Sequence, residues 1–516
     1  GLRAIFDTWL MPGKAVVVLE PGYDMFALWA RLLGNPVRAV ELGCPGEGGE
    51  ARFGLDPKRW RAALRDGVGG GEPGLVALAT PHNPTGTLVD RALIEETLAS
   101  VSCPVIVDET YGAFAGVDTA DLIDRHPHLF VVRSFSKLYG LAGLRVGAVL
   151  SQARNITDLR RVLNPYNVNR AAVAASRACM SRPDETRRHV EAIRTERGRF
   201  VAEMAALGFA TGPEHANFVV VHFGERAASV TAALAAEGIL IRDRSGGHPS
   251  LEGWCRVAIG SSAQMSRVVG AIRKVTVGPP SLDALLLDVD GTLVDVRGTY
   301  HQAIIRSVRG LLDEDGASTP LIESVDEAMV ARFKARGGLN NDWDCAEAIL
   351  DDLGHPWPRD EIVELFQRTY LGTAFDGLIA IERWILAAET EAHLTAALAV
   401  AIVTGRPRAE ALWTLARHAS AALGRDVVAL EDMPRQKPAP DGLILALELI
   451  GATAERAAYA GDSVDDMAAA RAAGLVALGV LGPGDDWGDG TAERLYAAGA
   501  HYVFADIEEV IRWLLP

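Results

Sequence analysis

The chain has 516 residues, 49% hydrophobic and 23% charged, so it is too long for one buried core and apolar enough for several. Its 67 acidic residues outnumber its 51 lysines and arginines, and the net charge of −16 argues against nucleic acid or an acidic membrane as partner. The five cysteines form no CxxC pair, and no apolar run approaches the ~20 residues of a membrane span. These features favour a globular cytoplasmic protein with reduced thiols.

Strand-length apolar runs alternate with longer amphipathic segments along the whole chain, which predicts α/β layers with parallel sheets. Apolar positions near helical spacing predict one long helix over 184–208. Two consecutive prolines continue neither a helix nor a central strand, so Gly-Pro-Pro predicts a linker at 276–282. The predicted domains are therefore 1–275 and 283–516. Within the second, a mostly helical pattern over about 297–395 predicts an inserted cap.

Five motifs with cofactor-binding chemistry follow one another in the first half: PGY at 21–23, HNPTG at 82–86, VDETY at 107–111, SFSK at 134–137 and AGLRVG at 142–147. A lysine that forms a Schiff base needs neighbours that hold the cofactor's ring and phosphate. Lys137 is the candidate lysine. The candidate neighbours are Asp108 for a ring nitrogen, Asn83 and Tyr111 for a phenolic oxygen, Tyr23 for stacking, and Ser134, Ser136 and Arg145 for a phosphate.

These motifs resemble those of fold-type I pyridoxal-phosphate aminotransferases, and in particular the histidinol-phosphate aminotransferase branch, over residues 1 to about 275. The resemblance implies a fold with a large and a small domain, pyridoxal 5'-phosphate on Lys137, an amino acid and a 2-oxo acid as substrates, and a homodimer. It also implies that Arg256 binds a substrate carboxylate or phosphate, with Arg242 as a second anion contact. The family's phosphate-binding turn and N-terminal arm precede the position of Gly1. We therefore expect a truncated N-terminus and weak cofactor binding.

The second half carries four further motifs in order: DVDGT at 288–292, Thr404 after an apolar run, Lys437, and AGDSVDDM at 460–467. Phosphoryl transfer needs a nucleophile, a proton donor, a cation and groups that hold the phosphoryl oxygens. The pattern predicts Asp288 as nucleophile and Asp290 as acid and base, with Thr404 and Lys437 as phosphoryl contacts. Mg²⁺ is the expected cation, and its predicted ligands are Asp288, the Asp290 backbone carbonyl and Asp462, supported by Asp466.

This second set resembles the haloacid-dehalogenase superfamily over about 283–516 and implies a Rossmann-like domain. The acid at position 290 favours a phosphatase, and the helical insert resembles the C1 cap of phosphoglycolate-phosphatase-like members. Within the cap, the basic stretch 332–344 has two interpretations that the sequence leaves open. It is either a substrate-recognition loop or a solvated helix end.

Together the two halves predict a bifunctional enzyme of histidine biosynthesis, with a histidinol-phosphate aminotransferase joined to a phosphatase that acts on small phosphorylated metabolites through an aspartyl-phosphate intermediate. One alternative keeps both catalysts and changes the substrates, with a phosphothreonine-decarboxylase-like module and a phosphatase for phosphoglycolate or a sugar phosphate. A second alternative makes one module a non-catalytic scaffold that binds a ligand.

Overall fold

The computed structural model describes residues 1–43, 53–65, 71–334, 336 and 341–516, and the chain divides into two compact units, Gly1–Met265 and Ser266–Pro516. Each unit has its own sheets and its own buried apolar clusters, as the alternation of apolar runs and amphipathic segments predicts.

The first unit is built on a mixed sheet with the strand order β2-β1-β3-β4-β5-β6, in which β6 alone of the described strands runs antiparallel to its neighbour. The strands are β1 (Val16–Glu20), β2 (Val37–Glu41), β3 (Leu75–Ala79), β4 (Val105–Asp108), β5 (Leu129–Ser134) and β6 (Gly147–Leu150). The strands β3 and β4 are buried along their whole length, because helices cover both faces of such a sheet.

The helices of this unit are α1 (Leu2–Trp9), α2 (Asp24–Leu32), α3 (Pro57–Arg65), α4 (Arg91–Ser100), α5 (Phe135–Leu138), α6 (Ala153–Val162), α7 (Arg170–Met180) and α8 (Pro183–Ala206). Asp90 caps α4 by accepting a hydrogen bond from the Ala92 backbone N–H at 2.9 Å. The long helix predicted at 184–208 is α8, which begins with a proline at its first position and buries Ile193, Phe200 and Met204.

A smaller antiparallel sheet follows α8, with the order β7-β8-β10-β9. Its elements are β7 (Ala210–Thr211), β8 (Phe218–His222), α9 (Ala227–Ala236), β9 (Arg242–Asp243) and β10 (Trp254–Ala258). The next helix, α10 (Ser262–Val277), lies mostly in the second unit, where Arg267 pairs with Glu493 at 2.7 Å and Lys274 with Glu509 at 3.1 Å. The structural division therefore falls about ten residues before the boundary that the sequence predicts at 275.

The second unit is built on a parallel sheet with the order β15-β14-β11-β16-β17-β18, beside which β12 and β13 form a separate antiparallel pair. The strands are β11 (Ala284–Leu287), β12 (Val294–Asp295), β13 (Arg383–Trp384), β14 (Ala399–Val403), β15 (Val427–Val428), β16 (Ala457–Gly461), β17 (Val476–Val480) and β18 (Tyr502–Phe504). Successive side chains of β11 belong to different apolar clusters, Leu285 to one and Leu286 to the other, because strand side chains alternate between the two faces.

The helical insert lies between β12 and β13 and has its own core around Phe333, Phe366 and Tyr370. Its helices are α11 (Gln302–Glu314), α12 (Thr319–Glu323), α13 (Glu327–Lys334), α14 (Asp342–Asp352) and α15 (Arg359–Leu371). The helices that follow are α16 (Ala388–Ala397), α17 (Arg408–His418), α18 (Asp441–Ile450), α19 (Val464–Ala472), α20 (Thr491–Ala497) and α21 (Ile507–Leu514). The insert ends earlier than the predicted residue 395, because α16 buries Leu394 in the cluster beneath the main sheet.

Candidate active sites

Most residues of the first candidate site follow the carboxyl ends of strands in the first unit's large sheet. Tyr23 follows β1, Asn83 follows β3, Asp108 ends β4 and Ser134 ends β5. Parallel strands bring these ends to one edge, which is the usual place for a ligand in an α/β sheet.

Asp108 is a buried carboxylate at this edge, with only 6% of its surface exposed. The Thr110 backbone N–H and hydroxyl both donate to its Oδ1, at 2.9 and 2.6 Å, and Oδ2 has no hydrogen bond within the described part of the chain. Burial raises the pKa of Asp108 in spite of these two bonds. The charge of Asp108 in turn contributes, after burial, to a raised pKa of Tyr23.

The smaller sheet supplies the opposite wall of this site. Arg256 on β10 donates from Nη1 to Asn83 Oδ1 at 2.7 Å, and its guanidinium lies 5.2 Å from the ring centre of Phe218. Tyr111 packs edge-on against the same Phe218 ring at 5.1 Å. Burial raises the pKa of Tyr111, and the positive charge of Arg256 opposes that increase. Arg242 lies opposite Arg256 in the β9–β10 register, but it is exposed.

Lys137 lies in α5, whose N-terminus Ser134 caps by accepting from the Ser136 backbone N–H at 3.2 Å. Partial burial and the positive charges of Arg256 and Arg145 lower the pKa of Lys137. Arg145 has a φ of +54° and donates from Nη1 to the Ala142 carbonyl at 2.9 Å. Arg256 and Arg145, which are both predicted to bind anions, thus act electrostatically on Lys137.

The donor set of this edge fits pyridoxal 5'-phosphate. A buried carboxylate with a free oxygen suits a ring nitrogen, an amine with a lowered pKa suits a Schiff-base lysine, and a capped helix N-terminus beside an arginine suits a phosphate. The structure brings the predicted residues together, with Arg242 the most peripheral of them.

The second candidate site is centred on Lys437, which is almost fully buried. Its Nζ donates to Asp288 Oδ1 at 2.8 Å, to Asp466 Oδ1 at 2.6 Å and to the Tyr459 hydroxyl at 2.9 Å. Burial raises the pKa of Asp288 to about 7, against the opposing charge of Lys437. Burial alone would also raise the pKa of Asp466. The charge of Lys437 and the hydrogen bonds from Ser463 outweigh burial, so that the pKa of Asp466 is lowered.

Asp288, Asp462 and Asp466 offer carboxylate oxygens that all lie within 4.8 Å of one another. Such a set fits Mg²⁺, a hard cation that prefers oxygen ligands. Gly291 is required beside it, because its φ is +72° and a Cβ there would lie 1.9 Å from Asp462 Oδ2. The predicted roles of these acids therefore have a geometric basis, while the Asp290 backbone carbonyl as a metal ligand stays a prediction.

The Asp290 carboxylate is not one of this group of three, and it is bound by Arg406. Arg406 donates from Nε and Nη2 to Asp290 Oδ1, at 2.8 and 2.5 Å, and from Nη1 and Nη2 to Glu382 Oε2 and Oε1, at 3.0 and 2.9 Å. The Tyr370 hydroxyl also donates to Glu382, at 2.5 Å. Burial opposes the charged form of Arg406, but Asp290 and its other neighbours raise its pKa well above the ordinary value.

Neither Arg406 nor Glu382 is among the residues predicted from the sequence. A signal for Arg406 existed, since it follows the predicted Thr404 by two residues, whereas Glu382 carries no recognisable motif. Thr404 itself is fully buried, and its hydroxyl accepts from the Arg406 backbone N–H at 3.1 Å. The phosphoryl contact of Thr404 stays a prediction.

A cavity of about 700 Å³ lies between the carboxylates and the helical insert. Lys334, Arg336 and Asn341 line it, so part of the stretch 332–344 borders the site, as the recognition-loop interpretation requires. Lys334 Nζ is held by Asp342 Oδ1 at 2.5 Å. The remaining positions of that stretch, 335 and 337–340, which include Asn340, lie outside the described residues.

The folds and sites define an α/β protein with two different candidate active sites. Residues 1–272 match the family model for aminotransferase class I and II, and residues 282–474 match that for haloacid dehalogenase-like hydrolases. The first match covers more than half of the chain, which therefore belongs to the aminotransferase class I and II family and carries a haloacid dehalogenase-like hydrolase domain in its C-terminal half. Both expected resemblances are confirmed.

The first half is also similar to individual proteins. Histidinol-phosphate aminotransferase 1 of Carboxydothermus hydrogenoformans is 34% identical over 204 residues, 40% of this chain and 57% of that protein. The histidinol-phosphate aminotransferase of Frankia casuarinae is 35% identical over 285 residues, 54% of this chain and 68% of that protein. A solved histidinol-phosphate aminotransferase from Sinorhizobium meliloti, in complex with pyridoxal-5'-phosphate, is 25% identical with a TM-score of 0.47 and covers 53% of this chain and 74% of that chain. The chain thus spans little more than half the length of the first relative.

In the described ranges, every helix is too short or too polar to cross a membrane.

Proposed function

We propose that the chain is a bifunctional enzyme of histidine biosynthesis. The first unit transfers an amino group between histidinol phosphate and 2-oxoglutarate, and the second hydrolyses a phosphate ester, for which L-histidinol phosphate is the proposed substrate. The proposal rests on the carboxylates of Asp288 and Asp466 around Lys437 in the second unit. The first unit of the same chain is related to aminotransferases that are named for a phosphate ester, histidinol phosphate. Tethering raises the local concentration of one catalyst near the other's product.

In the proposed transamination, bound pyridoxal phosphate supplies an electron sink. Asp108 would hold the ring nitrogen of that group in its protonated form, and Asn83 and Tyr111 would orient its ring oxygen. Burial and neighbouring positive charges lower the pKa of Lys137, which favours its role in accepting and returning a proton at Nζ. Arg256 lies beside Asn83 and binds the anionic group of the substrate.

In the proposed phosphatase reaction, an Asp288 carboxylate oxygen attacks phosphorus in line, so that an Asp288–phosphorus bond forms as the bond to the leaving oxygen breaks. Asp290 gives that oxygen a proton and then takes one from the water that hydrolyses the aspartyl phosphate. Asp290 accepts both of its hydrogen bonds from Arg406 at Oδ1, so its Oδ2 atom is left to carry the proton. Lys437 orients Asp288, and a bound Mg²⁺ would supply charge neutralisation.

A homodimer through the first unit and a cytoplasmic location also belong to this proposal. Exposed apolar side chains on and between α6 and α7 support a subunit interface there: Val162, Tyr166, Val168, Val173 and Met180. The free thiols of Cys103, Cys179, Cys255 and Cys345 support a reducing compartment.

Phosphate release from L-histidinol phosphate, phosphoglycolate and phosphothreonine, with Mg²⁺ and with EDTA, tests the second activity. Glutamate formation from 2-oxoglutarate and histidinol phosphate, with added pyridoxal phosphate, tests the first. We expect Mg²⁺-dependent release that is fastest from histidinol phosphate. If the protein hydrolyses phosphoglycolate and not histidinol phosphate, the proposed substrate is wrong. If neither phosphate release nor glutamate formation is detected, the alternative of a non-catalytic scaffold is favoured.

A further inference from the structure

One wall of the cavity in the second unit carries a buried carboxylate without a counter-ion. Glu410, in the first turn of α17, lines the cavity and is only 4% exposed. It takes part in no ion pair within the described ranges, and Gln367 Nε2 from the cap helix α15 donates to its Oε1 at 3.1 Å. The Gln367 Oε1 atom is buried and has no hydrogen-bond partner among the described residues. Among the described residues, Glu410 and Gln367 therefore offer hydrogen-bond acceptors that no ion pair neutralises.

The neighbours of Glu410 do not supply that charge. Arg406 is already bound to Asp290 and Glu382, so its positive charge is shared between two other carboxylates. Burial raises the pKa of Glu410 to about 7, and Asp290 and Glu382 add to the increase while Gln367 and Arg406 oppose it. A buried, unpaired carboxylate is costly unless a ligand compensates it.

The lining of the cavity as a whole also carries more negative than positive side chains. Nine of its described lining side chains are carboxylates, and five are lysine or arginine. Lys334, Arg406 and Lys437 are held by carboxylates of the protein, which leaves Arg336 and Arg494 of these five for a substrate. A bound divalent cation would offset only two of the negative charges.

Aromatic rings complete this environment. Trp343, Tyr300 and Phe366 line the cavity. Phe366 is 1% exposed, and Tyr300 stacks on Tyr370 at 4.5 Å and already faces the Arg406 guanidinium at 5.4 Å, so Trp343 is the aromatic ring that these contacts leave for a ligand cation. A carboxylate together with aromatic faces binds ammonium and imidazolium groups well, since both charge attraction and cation–π interaction favour them.

We infer that Glu410, with Gln367, binds a positively charged group on the leaving group of the substrate, so that the second unit prefers phosphate esters of amino alcohols. The inference rests on the proposed phosphatase function and narrows its substrate class. A neutral leaving group would leave Glu410 unpaired. An anionic one, as in phosphoglycolate, would place two carboxylates together.

The test compares kcat/KM for phosphoethanolamine, glycerol 3-phosphate and phosphoglycolate, whose leaving groups are cationic, neutral and anionic, with p-nitrophenyl phosphate as a general phosphatase substrate. We expect this order of preference in the full-length protein with Mg²⁺. Glu410→Gln should lower the ratio of phosphoethanolamine to glycerol 3-phosphate by about ten- to hundredfold, the factor associated with one charge-assisted hydrogen bond. Glu364→Gln is the matched control, since Glu364 is exposed on the same cap helix as Gln367 and outside the cavity lining, and it should keep the wild-type ratio.

Equal rates on the cationic and neutral esters in the wild type, or an unchanged ratio in Glu410→Gln, would overturn the inference while leaving the phosphatase function intact. If p-nitrophenyl phosphate and all three esters resist hydrolysis, the proposed function is wrong and the inference falls with it. Should Glu410→Gln fail to fold, the wild-type order of preference decides alone.

Discussion

Replacing Arg406 by methionine is expected to destabilise the second unit by about 3–5 kcal/mol, the usual cost of leaving one partner of a buried ion pair uncompensated. The side chain of Arg406 is fully buried and that of Glu382 is 1% exposed, whereas that of Asp290 is 32% exposed. Asp290 can therefore regain water after the substitution, and Glu382 cannot. The penalty thus arises mainly from Glu382, which keeps only the Tyr370 hydroxyl and a long contact from Thr414.

Hydrogen exchange measured by mass spectrometry on peptides that cover β14 reports this penalty for the second unit separately from the first. A loss of about 3–5 kcal/mol corresponds to roughly 100- to 5000-fold faster exchange, provided that global opening governs those amides. The double variant Arg406→Met/Glu382→Gln should be less destabilised than the sum of the two single variants by at least about 2 kcal/mol, since it strands no charge. Additive effects, or a cost below about 1 kcal/mol for Arg406→Met, would refute the reasoning.

Three further predictions concern the two sites and their charges. Asp288→Asn should reduce phosphate release by at least about a thousandfold and leave glutamate formation unchanged, since it removes the nucleophile of one unit only; equal losses in both assays would contradict the assignment. Lys137→Ala should abolish glutamate formation and the absorbance of bound pyridoxal phosphate, with Lys14→Ala as the control and phosphate release as the internal reference. The folded-state pKa of Glu410 is raised to about 7, so its contribution to stability is complete below the unfolded pKa near 4.5 and is lost as the pH rises through 7. Glu410→Gln should therefore gain stability relative to wild type between pH 5 and pH 8, by up to about 3 kcal/mol in hydrogen exchange, and a pH-independent difference would exclude this titration.

Local patterns were sufficient to predict where most of the functional side chains lie along the chain. Asp108 and Asp288 each end or follow a short apolar strand, and the carboxyl ends of parallel strands meet at one edge whichever order the strands take. The α/β fold class could be read from the alternation of strands and helices for the same reason. The end of the cap could not be placed from the sequence, because a helix pattern such as that of α16 is the same in a cap as in a layer beneath a sheet.

The sequence by itself thus determined the fold class and the families of both halves, because these depend on motifs a few residues long. Only the tertiary structure decided which distant groups meet, as when Arg256 binds Asn83 across 173 positions. It also placed Arg406 between Asp290 and Glu382. Such contacts depend on strand order and on the packing of the insert, which no local spacing encodes. The buried charge of Glu410 follows from the same packing, because a glutamate in a first helical turn is ordinarily solvated.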